Sequence, residues 1–187
     1  MESEALVEFG KPLKRLKTDT PTPQGKEVLI KVTFGGVCHS DVHIHDGYFD
    51  LGGGNKLPVG QMLNLPHTMG HEIEGEVAAI GPDVTDVEIG ANVVAYPWIG
   101  CGECATCKAG DEHYCNAPRQ LGIQLPGGFA DYCIVPDSKY ILDYTGIRPG
   151  LAATYMCSGL TAFGALKKFV NITDEDHILI MGLGGVG

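Results

Sequence analysis

The feature that most constrains this 187-residue chain is a cluster of four cysteines in the stretch CGECATCKAGDEHYC, residues 101–115. Two, two and seven residues separate neighbouring cysteines. Thiolates are soft ligands that suit Zn²⁺ in tetrahedral sites, and the glycines of so short a loop allow it to wrap around one ion. Because four thiolates leave no coordination position open for chemistry, the spacing predicts a structural zinc site with the ligands Cys101, Cys104, Cys107 and Cys115.

Two other interpretations of this cluster stay open. An iron–sulfur cluster also takes four cysteines, but the spacing matches neither of the common ferredoxin patterns. Free or disulfide-bonded cysteines are the second alternative, although the chain has seven cysteines and an odd number cannot all pair with one another. In a cytosolic protein, close cysteine spacing points to metal binding more often than to disulfides, so zinc is favoured.

Charge and hydropathy narrow the class of protein. The formal net charge is −10, and no run of Lys or Arg stands out to neutralise phosphates, which argues against a nucleic-acid partner. The N-terminal sequence MESEALVEFG is acidic where a signal peptide would be basic, and no stretch of about 18 apolar residues follows it. We therefore expect a cytoplasmic protein that neither enters a membrane nor binds nucleic acid.

Hydrophobic periodicity divides the chain into two parts. Alternating apolar and polar residues predict five strands, in residues 27–37, 71–81, 92–98, 129–136 and 140–144. After Pro149 the apolar residues adopt helical spacing over residues 151–170, and the apolar stretch 177–181 is typical of a buried strand. The prediction is a mainly β domain over residues 1–150, followed at 151–187 by the start of an α/β domain.

A second group of candidate ligands is dispersed along the sequence. Cys38 follows a long predicted strand in GVCHSDVH, His71 begins HEIEGEVAAIG, and Cys157 lies in the predicted helix. Each signal is weak by itself, because a single cysteine or histidine is more often an ordinary core or surface residue. Together the three supply two thiolates and one imidazole, the open three-ligand set that a catalytic zinc can use.

These motifs and the terminal GLGGVG occur in the order seen in zinc-dependent medium-chain alcohol dehydrogenases, and the resemblance covers essentially the whole chain. It implies a GroES-like β-barrel catalytic domain followed by a Rossmann domain that binds NAD(P), with NAD favoured over NADP. It also implies two zinc ions per chain, one catalytic and one structural, and a chain cut at the first turn of the Rossmann domain. The full-length protein would be a homodimer or homotetramer.

The resemblance assigns roles around the catalytic zinc, of which the three dispersed residues would be the ligands. Asp41 resembles the acid that orients the histidine ligand, a role that is physically sensible because a carboxylate fixes the imidazole tautomer. Glu72 resembles the acid beside the zinc that approaches it during ligand exchange. Ser40 resembles the hydroxyl that takes the alcohol proton, and His43 the histidine that passes it to solvent through the cofactor ribose.

Further residues are implied to contact the cofactor or the substrate. His39 stands where the family has a basic residue near the cofactor pyrophosphate, and Thr161 where a hydroxyl meets the nicotinamide. Trp98 corresponds to a bulky residue lining the substrate cleft, with a barrel-core or surface tryptophan as the alternative. The sequence GLGGVG matches the dinucleotide-binding pattern G-x-G-x-x-G, which makes the remaining candidates Gly182, Gly184, Gly185, Val186 and Gly187.

The implied reaction is oxidation of a primary or secondary alcohol to an aldehyde or ketone, by hydride transfer to NAD(P)⁺ from an alkoxide held on zinc. The loop GYFDLGGGNKLPVGQMLNLP is longer than its shortest counterparts and could form a flap over the cleft, which favours an alcohol other than ethanol. The 187-residue chain by itself is expected to bind zinc and to turn over alcohol poorly or not at all.

Three alternative functions stay open. The chain could be a zinc-binding interaction module without catalysis. A zinc-free quinone reductase relative is disfavoured, because such a protein would lack both sets of zinc ligands. A polyol dehydrogenase commonly uses Glu where this chain has Cys157, which favours an alcohol dehydrogenase.

Overall fold

The computed structural model describes residues 1–169, 171, 173–182, 184 and 186, and these are mainly antiparallel β-structure. The strands are β1 Glu2–Leu6, β2 Lys14–Lys17, β3 Val28–Gly36, β4 Tyr48–Asp50, β5 Lys56–Pro58, β6 His67–Thr68, β7 Glu72–Ile80, β8 Asn92–Ala95, β9 Tyr132–Val135 and β10 Ile141–Asp143. Each of the five strands predicted from alternation is present, as β3, β7, β8, β9 and β10. The mainly β structure predicted for residues 1–150 is confirmed.

The strands form two principal sheets. Five of them pair in the order β10-β8-β7-β3-β9, and three in the order β2-β1-β6. A bridge between Ser3 and Ala130 connects the smaller sheet to the segment preceding β9. The loop predicted to form a flap contains a small hairpin, in which β4 pairs with β5.

The main core lies on one face of the five-stranded sheet, where apolar side chains of neighbouring strands meet. Val28 and Ile30 of β3 and Ile73 and Val77 of β7 are fully buried. Fully burying a side chain of this size contributes about 1.5–3 kcal/mol. This packing fixes β7, whose first residues immediately follow the candidate ligand His71.

A second core cluster holds helix α1, His39–Asp46, against the smaller sheet through buried Leu6, Ile44 and Met69. Cys38 is the N-cap of this helix, and its backbone N–H donates to the Asp41 carboxylate in a capping box. The C-cap of the helix is Gly47, which adopts the left-handed conformation with φ of 86°. The sequence pattern GVCHSDVH therefore places candidate site residues on a short helix with both ends capped.

The remaining helices are short. They are α2 Ala105–Lys108, α3 Ala152–Thr154 and α4 Leu160–Leu166, with 3₁₀ turns at Glu112–Tyr114 and Ser138–Tyr140. A π-helical segment, Tyr155–Gly159, joins α3 to α4, so the predicted helix over residues 151–170 is confirmed as a continuous run that ends at Leu166. Within the described ranges, no helix has both the length and the apolar character that crossing a bilayer requires.

The strand predicted at residues 177–181 is wrong for the described chain. These residues are irregular, and Leu179 and Met181 are 84% and 89% exposed. A strand of a parallel sheet is stable only when neighbouring strands bond its edges and helices cover its faces. No described strand pairs with this segment, so its apolar sequence alone does not make it a strand.

Candidate active site and metal centres

The three dispersed ligand candidates come together at one point. Cys38 precedes α1, His71 precedes β7, and Cys157 lies in the π-helical segment. Cys38 Sγ is 3.8 Å from Cys157 Sγ, although 119 residues separate them, and His71 Nε2 is 3.3 Å from Cys157 Sγ. All three ligand atoms lie within 4.8 Å of one another.

This arrangement fits a zinc ion. A tetrahedral zinc ion with Zn–S bonds of about 2.3 Å holds its sulfur atoms about 3.8 Å apart, which is the separation of the two thiols here. Cys157 and His71 are buried and Cys38 is partly exposed. Three ligands leave a fourth tetrahedral position, as catalytic zinc sites require.

Asp41 supports two of these ligands at once. It is 3% exposed, and it accepts hydrogen bonds from the backbone N–H of Cys38 at 2.9 Å and of Gly70 at 3.2 Å. Asp41 Oδ1 is also 3.3 Å from His71 Nδ1, close enough for an ion pair although the geometry falls short of a hydrogen bond. Burial opposes the charged imidazole, but Asp41 and Cys157 raise the pKa of His71 to about 11. The carboxylate thus turns Nε2 of the ring toward the thiols.

Neighbouring groups also act on the thiols. Burial disfavours the Cys38 thiolate, but hydrogen bonds from Ser40 and His71 outweigh it and lower the pKa of Cys38. Burial raises the pKa of Cys157, an effect that His71 partly offsets. Thiolates are the metal-binding form of cysteine. A cation bound between Cys38 and Cys157 would therefore stabilise both side chains as thiolates.

Glu72 lies beside the ligand cluster and contacts the helix that carries Cys157. Its Oε1 is 3.3 Å from both the backbone nitrogen and the hydroxyl of Ser158, each of which donates to it. A Cβ atom added to Gly36 would lie only 2.1 Å from Glu72 Oε2, so glycine at that position makes room for the carboxylate. Glu72 is therefore held by hydrogen bonds from Ser158, the residue that follows the candidate ligand Cys157.

The candidate proton-relay residues lie on α1. Ser40 is partly buried next to Cys38, and His43 follows one turn later on the helix. The His43 ring lies between those of His39 and Phe49, with centroid distances of 4.6 and 5.2 Å. His39 is exposed at the start of the helix, so these three polar side chains occupy one short segment beside the thiols.

Trp98 links the ligand cluster to a cavity of about 530 Å³. Its ring centroid is 5.7 Å from that of His71, and its Nε1 donates to the Met156 carbonyl at 2.9 Å. The same side chain packs against the second core cluster, so it is also part of the core. Thr161 lines the cavity from α4, and its hydroxyl donates to the Cys157 carbonyl at 2.8 Å.

The four-cysteine cluster is a compact group of sulfur atoms. Cys107 Sγ is 3.4 Å from Cys104 Sγ and 3.9 Å from Cys101 Sγ, and Cys104 Sγ is 3.9 Å from Cys115 Sγ. Backbone N–H groups donate to three of these sulfurs at 3.3–3.4 Å. The separations again match those around a tetrahedral zinc ion, for which bonds of about 2.3 Å are typical.

The thiols of this cluster differ in how readily they ionise when no cation is bound. Backbone N–H groups of Glu103 and Cys104 lower the pKa of Cys101 to about 6, whereas burial raises the pKa of Cys107 to about 12. Four thiolates this close repel one another, so a bound dication would be needed to ionise all of them. The donor set fits a structural zinc ion with four sulfur ligands.

A carboxylate attaches the cysteine loop to the β-structure. Glu112 accepts a hydrogen bond from the Gly100 backbone N–H at 3.3 Å and contacts Lys139 Nζ at 2.6 Å. The Tyr140 hydroxyl donates to the same carboxylate. Burial works against the Glu112 charge, but Lys139 and Tyr140 outweigh it and lower the pKa of this acid.

Comparison with known proteins identifies the family. Residues 24–145 match the model of the alcohol dehydrogenase GroES-like domain. The chain belongs to the alcohol dehydrogenase GroES-like domain family. The resemblance to alcohol dehydrogenases, read from the motifs and their order, is confirmed by this match.

Relatives of the GroES-like chain carry dehydrogenase names. The NAD-dependent alcohol dehydrogenases of Saccharolobus solfataricus and Sulfurisphaera tokodaii are 41% and 40% identical over 186 residues. These matches cover 99% of the chain and 52% of each relative, so the chain spans about half the length of the curated relatives it matches.

Solved structures of an alcohol dehydrogenase and of a related reductase are similar to this chain. The acetophenone reductase of Geotrichum candidum in complex with NAD has a TM-score of 0.83 and 30% identity, and the match covers all of this chain and 52% of that one. A cobalt- and zinc-bound thermostable alcohol dehydrogenase from Pyrobaculum aerophilum has a TM-score of 0.76 and 31% identity, covering 91% and 49%.

The candidate dinucleotide site of this GroES-like chain is not built by the described residues. Gly182 has a φ of 92° and open space around it, Gly184 likewise has no close neighbour, and Val186 is exposed. Gly185 and Gly187 lie outside the described residues. The start of a Rossmann domain therefore stays a prediction.

Three residues near the two candidate metal sites carry no functional signal that we identified in the sequence: Glu74, Glu112 and Ser158. Glu74 follows Glu72 by two residues on β7, and strand periodicity places both on one face, which is a signal that could have identified it. Nothing in the local sequence distinguishes Ser158 or Glu112, because their partners lie far away along the chain.

Proposed function

We propose that this GroES-like chain is the catalytic, zinc-binding part of an alcohol dehydrogenase that oxidises primary or secondary alcohols with NAD(P)⁺. One observation carries the proposal: two thiols and an imidazole from distant segments converge at one point, and Trp98 lies between them and a cavity. The names of the relatives support this reaction class and favour NAD. The products would be aldehydes or ketones.

Cys38, His71 and Cys157 would hold the catalytic zinc, which supplies Lewis acidity toward an alcohol oxygen. Asp41 keeps the imidazole turned toward the metal position, since its carboxylate lies at Nδ1. Trp98 lies between the ligands and the cavity, where it would bound the space for the alcohol carbon chain. Glu72 stays bonded to Ser158 and would be the acid that approaches the metal when ligands exchange.

Proton removal would run along α1. The Ser40 hydroxyl lies next to Cys38 and would accept the alcohol proton. His43 is half-buried one turn further and would pass the proton to solvent, a task suited to imidazole with its unperturbed pKa of about 6.5.

The second zinc would be structural and bound by Cys101, Cys104, Cys107 and Cys115, which gives two zinc ions per chain. NAD would accept the hydride at its nicotinamide ring. His39 and Thr161 would contact this cofactor, together with the glycine segment 182–187. We further propose a cytoplasmic homodimer or homotetramer acting on small-molecule alcohols and aldehydes, with neither nucleic acid nor membrane as a partner.

The test uses a longer form of the protein, in which residues 1–187 are followed by a complete nucleotide-binding domain. NADH absorbance is followed with ethanol, hexanol, 6-hydroxyhexanoate, D-sorbitol and D-arabinose, for the parent, Cys38→Ala and the control Val37→Ala. Val37 is 74% exposed beside the ligand and contributes no metal-binding atom. We expect turnover by the parent and Val37→Ala and loss of at least 100-fold in Cys38→Ala; equal rates in all three would contradict the proposal.

A second candidate function is zinc binding without catalysis, and the exposed glycine segment of the described chain favours it for the 187-residue form. In that form the protein would hold metal but have no built cofactor site. Alcohol-dependent NAD reduction by the 187-residue chain, at a rate near that of the longer form, would exclude this candidate. A preference for D-sorbitol in the panel would instead support a polyol dehydrogenase. A preference for D-arabinose would support a sugar dehydrogenase, and the D-arabinose dehydrogenase of Sulfolobus solfataricus is 29% identical to this chain.

A further inference from the structure

Glu74 is a completely buried carboxylate that the proposed reaction does not use. It lies on β7, two residues after Glu72, and is 0% exposed. Among the described residues, no Lys, Arg or His forms an ion pair with it. A buried acid without a cation needs other compensation for the water it has lost.

Backbone N–H groups at the start of a helix provide that compensation. The Gly150 N–H donates to Glu74 at 2.9 Å from Oε1 and 3.0 Å from Oε2, and the Ala153 N–H donates to Oε2 at 3.3 Å. These groups lie at the beginning of the continuous helical run over residues 152–166. The first N–H groups of a helix lack partners within the helix, and its dipole favours negative charge there.

The helical run that Glu74 caps is the one that carries Cys157. Cys157 follows Ala153 by one turn and lies in the π-helical segment, a geometry that is common at functional sites. Glu72, from the same strand, bonds Ser158 on the other side of the cysteine. Strand β7 therefore holds this helix by one carboxylate before Cys157 and by another just after it.

We propose that Glu74 is a positioning residue for the three-ligand metal site, which it serves by fixing the helix that presents Cys157. The inference rests on the proposed function, because it takes that site to be the catalytic zinc site. Cys38 and His71 are supported separately through Asp41. Loss of the Glu74 contacts therefore displaces one ligand of three and leaves the four-cysteine site untouched.

Glu74→Gln is the informative variant, because it keeps the shape of the side chain. An amide replaces one carboxylate oxygen with an NH₂ group, which repels the Gly150 N–H if it takes the Oε1 position and both N–H groups if it takes the Oε2 position. Glu76→Gln is the matched control, since Glu76 lies on the same strand with its side chain exposed. Both variants are made in the 187-residue chain.

The experiment titrates metal-free protein with Co²⁺ and follows the thiolate-to-metal absorption bands of the two sites, distinguished with Cys38→Ala and Cys104→Ala backgrounds. Alkylation of Cys157 by iodoacetamide is measured by mass spectrometry in parallel. We expect Glu74→Gln to weaken Co²⁺ binding at the three-ligand site about 10-fold or more and to speed Cys157 alkylation. The four-cysteine site and the Glu76→Gln protein should match the parent.

Three results would overturn the inference. Binding at the three-ligand site within twofold of the parent would show that Glu74 does not position Cys157. Equal weakening of both sites, with loss of the far-ultraviolet circular dichroism of the parent, would show a general folding role instead. If the parent chain itself binds no Co²⁺ through Cys38, the proposed function fails and the inference fails with it.

Discussion

Asp41 Oδ1 lies 3.3 Å from His71 Nδ1, while the same carboxylate accepts hydrogen bonds from the backbone N–H groups of Cys38 and Gly70. One buried acid thus faces the imidazole of a candidate metal ligand, His71, and holds the segment that carries another, Cys38. Its position at the third residue of α1 gives it access to both, because the helix starts directly after Cys38.

Replacing Asp41 should therefore weaken metal binding. We expect Asp41→Asn to lower zinc affinity at the three-ligand site by about 10- to 100-fold, as is typical when a partner of a histidine ligand is removed. Asp46→Asn is the control, because Asp46 is exposed on the same helix. Chelator competition measures both affinities, and an unchanged affinity in Asp41→Asn would contradict the role assigned to the carboxylate.

Glu112→Gln should loosen the four-cysteine loop. The variant loses the ion pair with Lys139 and weakens the hydrogen bond from the Gly100 N–H, next to Cys101. Hydrogen bonds to charged groups contribute about 1.5–3 kcal/mol, and partial exposure of this pair reduces that amount. Zinc release to a chromophoric chelator should be faster than in the parent and in Glu103→Gln, whose side chain is exposed in the same loop. Identical release rates would show that Glu112 does not hold the loop.

His67 should make the fold sensitive to acid. Burial lowers the pKa of His67 from its usual 6.5, and its Nε2 has no hydrogen-bond partner among the residues that the structure describes. The unfolded chain therefore binds a proton more readily than the folded one, so this stability is present above about pH 6.5 and is lost as the pH falls below it. Melting temperatures at pH 7.5 and 5.5 should differ less in His67→Leu than in the parent. His177→Gln, which removes an exposed histidine, should behave like the parent, and a parent-like drop in His67→Leu would refute the prediction.

Cys133 should be the least reactive thiol of the described chain. It is 3% exposed, and burial raises its pKa to about 12, so almost no thiolate is present at neutral pH. After metal removal with a chelator, iodoacetamide should label the six other cysteines before Cys133. Mass spectrometry of timed samples checks the order, and early labelling of Cys133 would show that its surroundings open readily.

The strands and the four-cysteine cluster could be predicted because their signals are local. Alternation along β3 and β7 reports which side chains face the core, and close spacing between cysteines already brings their sulfurs near one another. The convergence of Cys38 with Cys157 was different, since neither residue is informative alone. It came from the order of motifs shared with a family and is now supported by the distance between the two thiols.

Other features depend on partners that no local pattern shows. Residues 177–181 have a strand-like sequence, but a strand forms only where neighbours bond its edges. The π-helical segment around Cys157 lies between contacts that Glu72 and Glu74 make with a helix more than 70 residues later in the chain. Helical spacing alone predicts the helix but not this local change of pitch.

The most direct test of two metal centres is the zinc content of the 187-residue chain, measured by elemental analysis after purification without added metal. We predict two zinc ions in the parent chain, one in Cys38→Ala and one in Cys104→Ala, with iron absent from all three. A parent chain with one zinc, or a Cys38→Ala chain that retains two, would contradict it.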